Sequence, residues 1–328
     1  MSIQKELFFQ IKKRLPDHLS LVDEIADLFN VSNDSAYRRI RGETSMTFEE
    51  IGLLSKKFNI SIDSVLGKQI TNRVSFKFDP IHEANFTLAE HFKFIITILA
   101  DINSSENGQV IYAANEAKFG LFHVPEVAAF KLFFWMKTAY DFENYKSRKF
   151  SFEQFKEDHG ALIDTIVENY VKVPTIEIIN SNYLNSTLNQ IKFYYESGYF
   201  NSKVEALMVC DKLTELIEHN RREAELGYKF KIGRPEVGKE GNLMLYHNEV
   251  IHSDNVISSK IDQQYFCFLI INTINFMSTG NQKFSKDTYN YLLNLRNKST
   301  LISVSAERER NMFYNGLTDK IEALKSEL

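Results

Sequence analysis

Cysteine is nearly missing from this chain: two in 328 residues, Cys210 and Cys267, far apart and each set among apolar neighbours. That excludes a disulfide framework and reads as two buried thiols. Five prolines and thirteen unperiodic glycines exclude collagen-like and low-complexity chains. The longest apolar runs, residues 94–100 and 132–136, fall far short of the roughly 20 residues that a membrane span needs. The start, MSIQKELFFQIKKRLP, lacks the apolar core and cleavage site of a secretory signal. A cytoplasmic protein without a membrane partner is expected. Excess positive charge is absent too: the net charge is -4, so any nucleic-acid contact must be local.

What is present is legible first in residues 1–70. Residues 3–15 place Leu7, Phe8, Ile11 and Leu15 at helical spacing before Pro16. Ser20 suits the cap of a helix over 21–29, with Asp23 and Glu24 in its first turn and Val22, Ile25, Ala26 and Phe29 on one side. Asn30-Val31-Ser32 breaks that pattern. Ser32 then caps a short helix over 33–41, ended by Gly42, whose only apolar pair is Ala36 and Ile40. Thr47 and Glu50 have capping-box spacing and open a helix with Phe48, Ile51, Leu54 and Phe58 inward and Asn59 at its close. A last short helix is expected over 62–66, between Ser61 and Gly67.

A helix, a three-residue turn and a second short helix entered by serine make a helix-turn-helix pattern. The run LVDEIADLFNVSNDSAYRRIRGETSMTFEEIGLLSKKFNISIDSVLG resembles the lambda-repressor-like (XRE, or Cro/C1) DNA-binding domain. The likeness rests on Ala26, Val31-Ser32, Ile40, Gly42 and the closing segment from Phe58 to Leu66, and covers about a fifth of the chain. One departure is Arg39, which stands where that family usually buries a second aliphatic. Residues 1–72 are also neutral, with ten Lys/Arg against ten Asp/Glu.

With Ala36 and Ile40 packed inward, a helical period turns Asn33, Asp34, Tyr37, Arg38 and Arg41 outward. The resemblance implies that this second helix enters the major groove of double-stranded DNA. Arg38 then suits guanine and Asn33 adenine, Ser32 and Ser35 suit phosphate, and Arg41 and Thr44 complete the expected contact set. Asp34 either accepts from cytosine or serves only as a first-turn carboxylate. Arg39 reads as structural, its stem covering apolar surface.

The remainder, 71–328, reads as a larger helix-rich α+β domain, divisible near 230–241, which makes the whole mainly α with an α+β second part. Strands are expected at 74–78, 109–113, 242–246 and 255–259. Helices are expected at 86–102, 124–140, 152–171, 185–200, 202–228, 285–297 and 306–325. The apolar run 265–277 fits strand and buried helix equally. Residues 227–241, GYKFKIGRPEVGKEG, have the wrong spacing for a phosphate loop and read as a loop or linker. His247, His252, Glu249 and Asp254 lack metal-motif spacing and read as ordinary strand and turn residues. Aromatics such as Phe130, Phe133, Trp135 and Tyr194 read mostly as core, with a remainder for an apolar pocket or a dimer face.

No nucleophile elbow or Cys-His arrangement appears, so no enzyme and no cofactor are expected. The reading is a sequence-specific transcriptional regulator, with a head that binds DNA and a second domain that dimerises and responds to a small-molecule effector. Two alternatives stand beside it: an adaptor whose helices bind another protein, and an enzyme with a DNA-targeting head.

Overall fold

The computed structural model describes residues 2–16, 18–60, 62, 65, 73–116, 119–239, 241–249 and 255–328. It divides into two compact units, residues 1–75 and 76–328. The chain is α+β, with helix well in excess of strand. Among the described residues no helix is long and apolar enough to cross a membrane.

In the first unit, helices α1 (Ile3–Arg14), α2 (Leu21–Phe29), α3 (Asn33–Arg41) and α4 (Phe48–Phe58) pack on a core of Leu7, Phe8, Ile11, Ile25, Ala36, Leu54 and Ile60. Their ends follow from cap chemistry. Ser2, Ser20, Ser32 and Thr47 each accept a backbone N–H of the first turn, and Asn30, Gly42 and Asn59 close α2, α3 and α4 in the left-handed conformation. Phe48, expected inside, is 80% exposed. It is the first residue of α4, and core contact begins further along, at Leu54. The short helix expected at 62–66, with Ser61 and Gly67, falls largely outside the described residues.

The second unit is built on an eight-stranded sheet: β1 (Lys77–Phe78), β2 (Gln109–Ala113), β3 (Thr175–Ile179), β4 (Leu243–His247), β5 (Val256–Ile261), β6 (Gln264–Ile271), β7 (Asn275–Thr279) and β8 (Thr300–Leu301). The strand order is β1-β7-β6-β5-β2-β3-β4-β8. Strands β2, β3 and β4 are parallel and the other pairings antiparallel. The helices are α5 (Leu88–Asn103), α6 (Pro125–Phe134), α7 (Glu143–Lys146), α8 (Phe152–Tyr170), α9 (Asn185–Glu196), α10 (Lys203–Leu226), α11 (Gln282–Arg296) and α12 (Glu307–Glu327).

Alternation along the strands explains the layering. Ile111, Ala113, Ile176 and Ile178 face Tyr289, Leu292 and Leu295 of α11. Val110 and Tyr112 face the other way, into a core shared with α5, α6 and α8. A third core joins Ile179 and Leu245 to α6, α9, α10 and α12, where Phe130, Phe133, Tyr194 and Phe200 meet edge to face or stacked. Both thiols are free and buried, and burial pushes Cys210 up to about 12 and Cys267 to about 11.

The run 265–277 resolves as a hairpin: β6 and β7 flank a turn in which Asn272 and Thr273 have positive φ. Strand β3 was not expected. Its sequence, Thr-Ile-Glu-Ile-Ile, is buried at every position because helices cover both faces of the parallel strands. The strand expected at 74–78 is only Lys77–Phe78. Helix α6 runs on into a π-helical turn, Trp135–Ala139. At the end of α10, Gly227 has φ +72°, and a Cβ there would lie 2.4 Å from Val304.

Candidate functional site

In the first unit, the face of α3 opposite Ala36 carries the residues expected to meet DNA. Ser32 caps the helix, accepting from the Ser35 backbone N–H, and Ser32 and Asn33 are exposed. The Asn33 amide donates to Asp23 on α2 at 2.8 Å, so reading a base would require exchanging that bond. Asp34 is exposed in the first turn, and Ser35 is half-buried. Tyr37 is exposed, with the Arg41 guanidinium 4.7 Å from its ring. Arg38 and Arg41 are 58% and 59% exposed and lie 4.0 and 3.7 Å from Glu43. Such long, exposed ion pairs hold their side chains weakly. Thr44 is half-buried, and its carbonyl accepts from Gln4 of α1.

Arg39 is unlike its two neighbours. Its guanidinium donates to Glu50 at 2.9 Å and to the Ser35 carbonyl at 3.2 Å, with only 18% of its side chain exposed. Glu50 also closes the capping box of α4, accepting from the Thr47 backbone N–H. An ion pair therefore stands where the resemblance implies an aliphatic, and it joins the middle of α3 to the start of α4.

The second unit holds a cavity of about 140 Å³ between α5 and the sheet. Its walls are mostly apolar, among them Phe94, Ile98, Phe122, Ile257, Phe268 and Phe276. Trp135 and Glu116 also line it, and the Trp135 indole N–H is buried without a protein acceptor. An unpaired donor beside apolar walls is what orients a small molecule. His91 lines both this cavity and a neighbouring groove of about 330 Å³ that includes Asp79 and Asn85. Burial lowers His91 to about 4, so it is neutral at pH 7.

A buried polar network lies beside β3. Glu177 accepts from the Tyr170 hydroxyl at 2.6 Å, and burial raises its pKa against the pull of Tyr170, Tyr112 and Lys229. The Lys229 ammonium donates to the Val173 carbonyl and to Thr175, and burial lowers it to about 8. Close by stand His123, His219 and Glu223, all buried. None of these was singled out in the sequence. The one local signal was the i, i+4 spacing of His219 and Glu223 on α10, while His123 comes from the turn before α6.

Of the histidines weighed in the sequence, His247 bonds Glu249 at 2.6 Å, and Glu249 also accepts from the Ser181 backbone N–H at 2.9 Å. His252 and Asp254 lie outside the described residues. No protein-family model matches the chain, and no curated protein or solved structure matches it either.

Proposed function

We propose that the chain is a sequence-specific DNA-binding transcriptional regulator, with a lambda-repressor-like first unit that reads the major groove through α3. The observation that carries this reading is the division of labour among the three arginines of α3, Arg38, Arg39 and Arg41. Arg39 is tied down inside the unit, while Arg38 and Arg41 stay on the open face, the Arg41 guanidinium over the exposed Tyr37 ring. Arg38 and Arg41 stand in the last turn of α3, and an exposed arginine on such a helix suits bidentate bonding to guanine, worth roughly 1–3 kcal/mol of discrimination. Ser32 and the free amides at the start of α3 suit phosphate.

One small unit makes few contacts, so two copies act together on half-sites about one helical turn apart, held by self-association of the second unit. The apolar cavity beneath α5 supports an effector: its 140 Å³ is close to the roughly 150 Å³ at which an apolar cavity admits benzene. An effector shifts the regulator only if it binds one arrangement of the pair better than the other. The test is to select fragments of the source genome on the purified full chain at low salt. Recovered fragments sharing a motif, with binding that weakens steeply as salt rises, are expected. Retention of no fragment defeats the proposal.

A protein-binding adaptor is the second reading, and exposed Phe48 and Leu53 on α4 favour it. Phe48→Ala then abolishes partner capture, whereas DNA retention and its salt dependence are absent.

A further inference from the structure

We infer that His123, His219 and Glu223 form a binding site for a transition-metal ion of zinc-like preference in the interior of the second unit. Each offers one ligand atom, and the three atoms lie within 4.8 Å of one another. A tetrahedral ion with bonds of about 2.0–2.1 Å sets its ligand atoms about 3.3 Å apart. Glu223 Oε1 lies 3.2 Å from His219 Nε2 and 3.6 Å from His123 Nε2. Two of the three edges thus already have the length that coordination needs.

The nitrogens are available. His123 Nδ1 and Nε2 and His219 Nε2 are buried and make no well-aligned hydrogen bond, the two Nε2 atoms facing only the Glu223 carboxylate. A shared cation takes one nitrogen from each ring together with the Glu223 oxygen between them. Glu223 is held in place by the Phe230 backbone N–H, which donates to Oε1 at 2.9 Å, an outer contact of the kind that orients metal ligands. Two buried glutamates, Glu177 and Glu223, share this interior with the Lys229 ammonium.

Two histidines and one glutamate leave a fourth position. Glu223 borders a cavity of about 20 Å³ also lined by Gly120, Tyr170, Glu177, Asn220 and Tyr314. That volume has room for one water beside the glutamate ligand. The donor set of two nitrogens and one oxygen favours zinc-like ions over magnesium or calcium, which prefer all-oxygen shells. The ion's effect is to fasten the turn Gly120–His123 to α10, two segments that meet only in the folded chain. Metal binding of this kind adds directly to folding stability.

The test uses the tag-free full chain, incubated with Zn²⁺ and dialysed, with metal content measured by mass spectrometry and unfolding followed by calorimetry. One equivalent of zinc per chain is expected, with a Tm roughly 5–10 °C lower after chelation and restored by Zn²⁺. Co²⁺ should give the visible absorption of a four-coordinate N/O site. His123→Gln, which leaves α10 intact, should lose the zinc equivalent and the response to chelator while keeping the wild-type far-UV spectrum. If the folded wild-type chain holds no stoichiometric metal and Zn²⁺, Co²⁺ and chelator leave its Tm unchanged, the inference is overturned. It is equally overturned if both His123→Gln and His219→Gln, each folded, retain the metal with the same Co²⁺ spectrum.

Discussion

The two units place their charged residues in opposite ways. In the first, Arg38, Arg41, Glu43 and Asp34 sit on the surface, and the most withdrawn ion pair among the described residues, Arg39 with Glu50, still shows 18% and 15% of its side chains to solvent. In the second, Lys131, Lys229, Glu177, Glu223, His123, His219 and Arg310 are all buried. Buried charge is costly unless paired and hydrogen-bonded. The second unit therefore holds in its interior polar groups of a kind that the described residues of the first keep at or near the surface.

The comparison breaks if charge removed from the interior proves harmless. Lys229→Ala strips partners from Val173, Thr175 and Glu177 at once. It should destabilise the second unit by about 3–5 kcal/mol in urea unfolding, and a loss below 1 kcal/mol would show that the network is slack. Next in size is a pH effect at His91. Its folded pKa, about 4, lies below the value of 6.5, so the unfolded chain takes up the proton first as pH falls. The stability that neutral His91 supplies is full above pH 6.5 and is lost between 6.5 and 4, by up to about 3 kcal/mol. Stability curves of wild type and His91→Gln should converge over that window; parallel curves would remove the effect.

Substitutions on α3 sharpen the other half of the contrast. Arg38→Ala should weaken binding to a selected operator about ten- to a hundredfold and relax the choice of one base, with urea stability unchanged. Arg39→Ala should do the reverse, lowering stability by about 1 kcal/mol while a folded sample keeps its operator preference. Equal effects of the two on binding, measured by fluorescence anisotropy, would erase the distinction between neighbours.

What was legible in the sequence was local. Ser32, Gly42 and the Thr47–Glu50 box announced helix ends because caps are short-range hydrogen bonds between near neighbours. The structural part of Arg39 was visible from its helical position, but its partner Glu50 was not. Period was insufficient where burial is uniform: β3 is a five-residue strand buried at every position although Thr175-Ile176-Glu177-Ile178 alternates, and the β6–β7 run turns at Asn272 and Thr273, which have positive φ. It failed again at Phe48, whose spacing fits the inner face but whose place is the helix end. The buried histidines were illegible for another reason. His123 and His219 stand on segments separated by α6, α7, α8, β3 and α9, so only the fold brings their rings to 4.5 Å.

Strand β3 is paired on both edges, to β2 and β4, and covered on both faces. Its amides therefore have no route to solvent short of opening the whole unit. In deuterium exchange they should be the slowest in the chain, reporting the global unfolding free energy rather than a local one. Since Thr175 and Glu177 belong to that strand, the backbone beside the polar interior shares that protection.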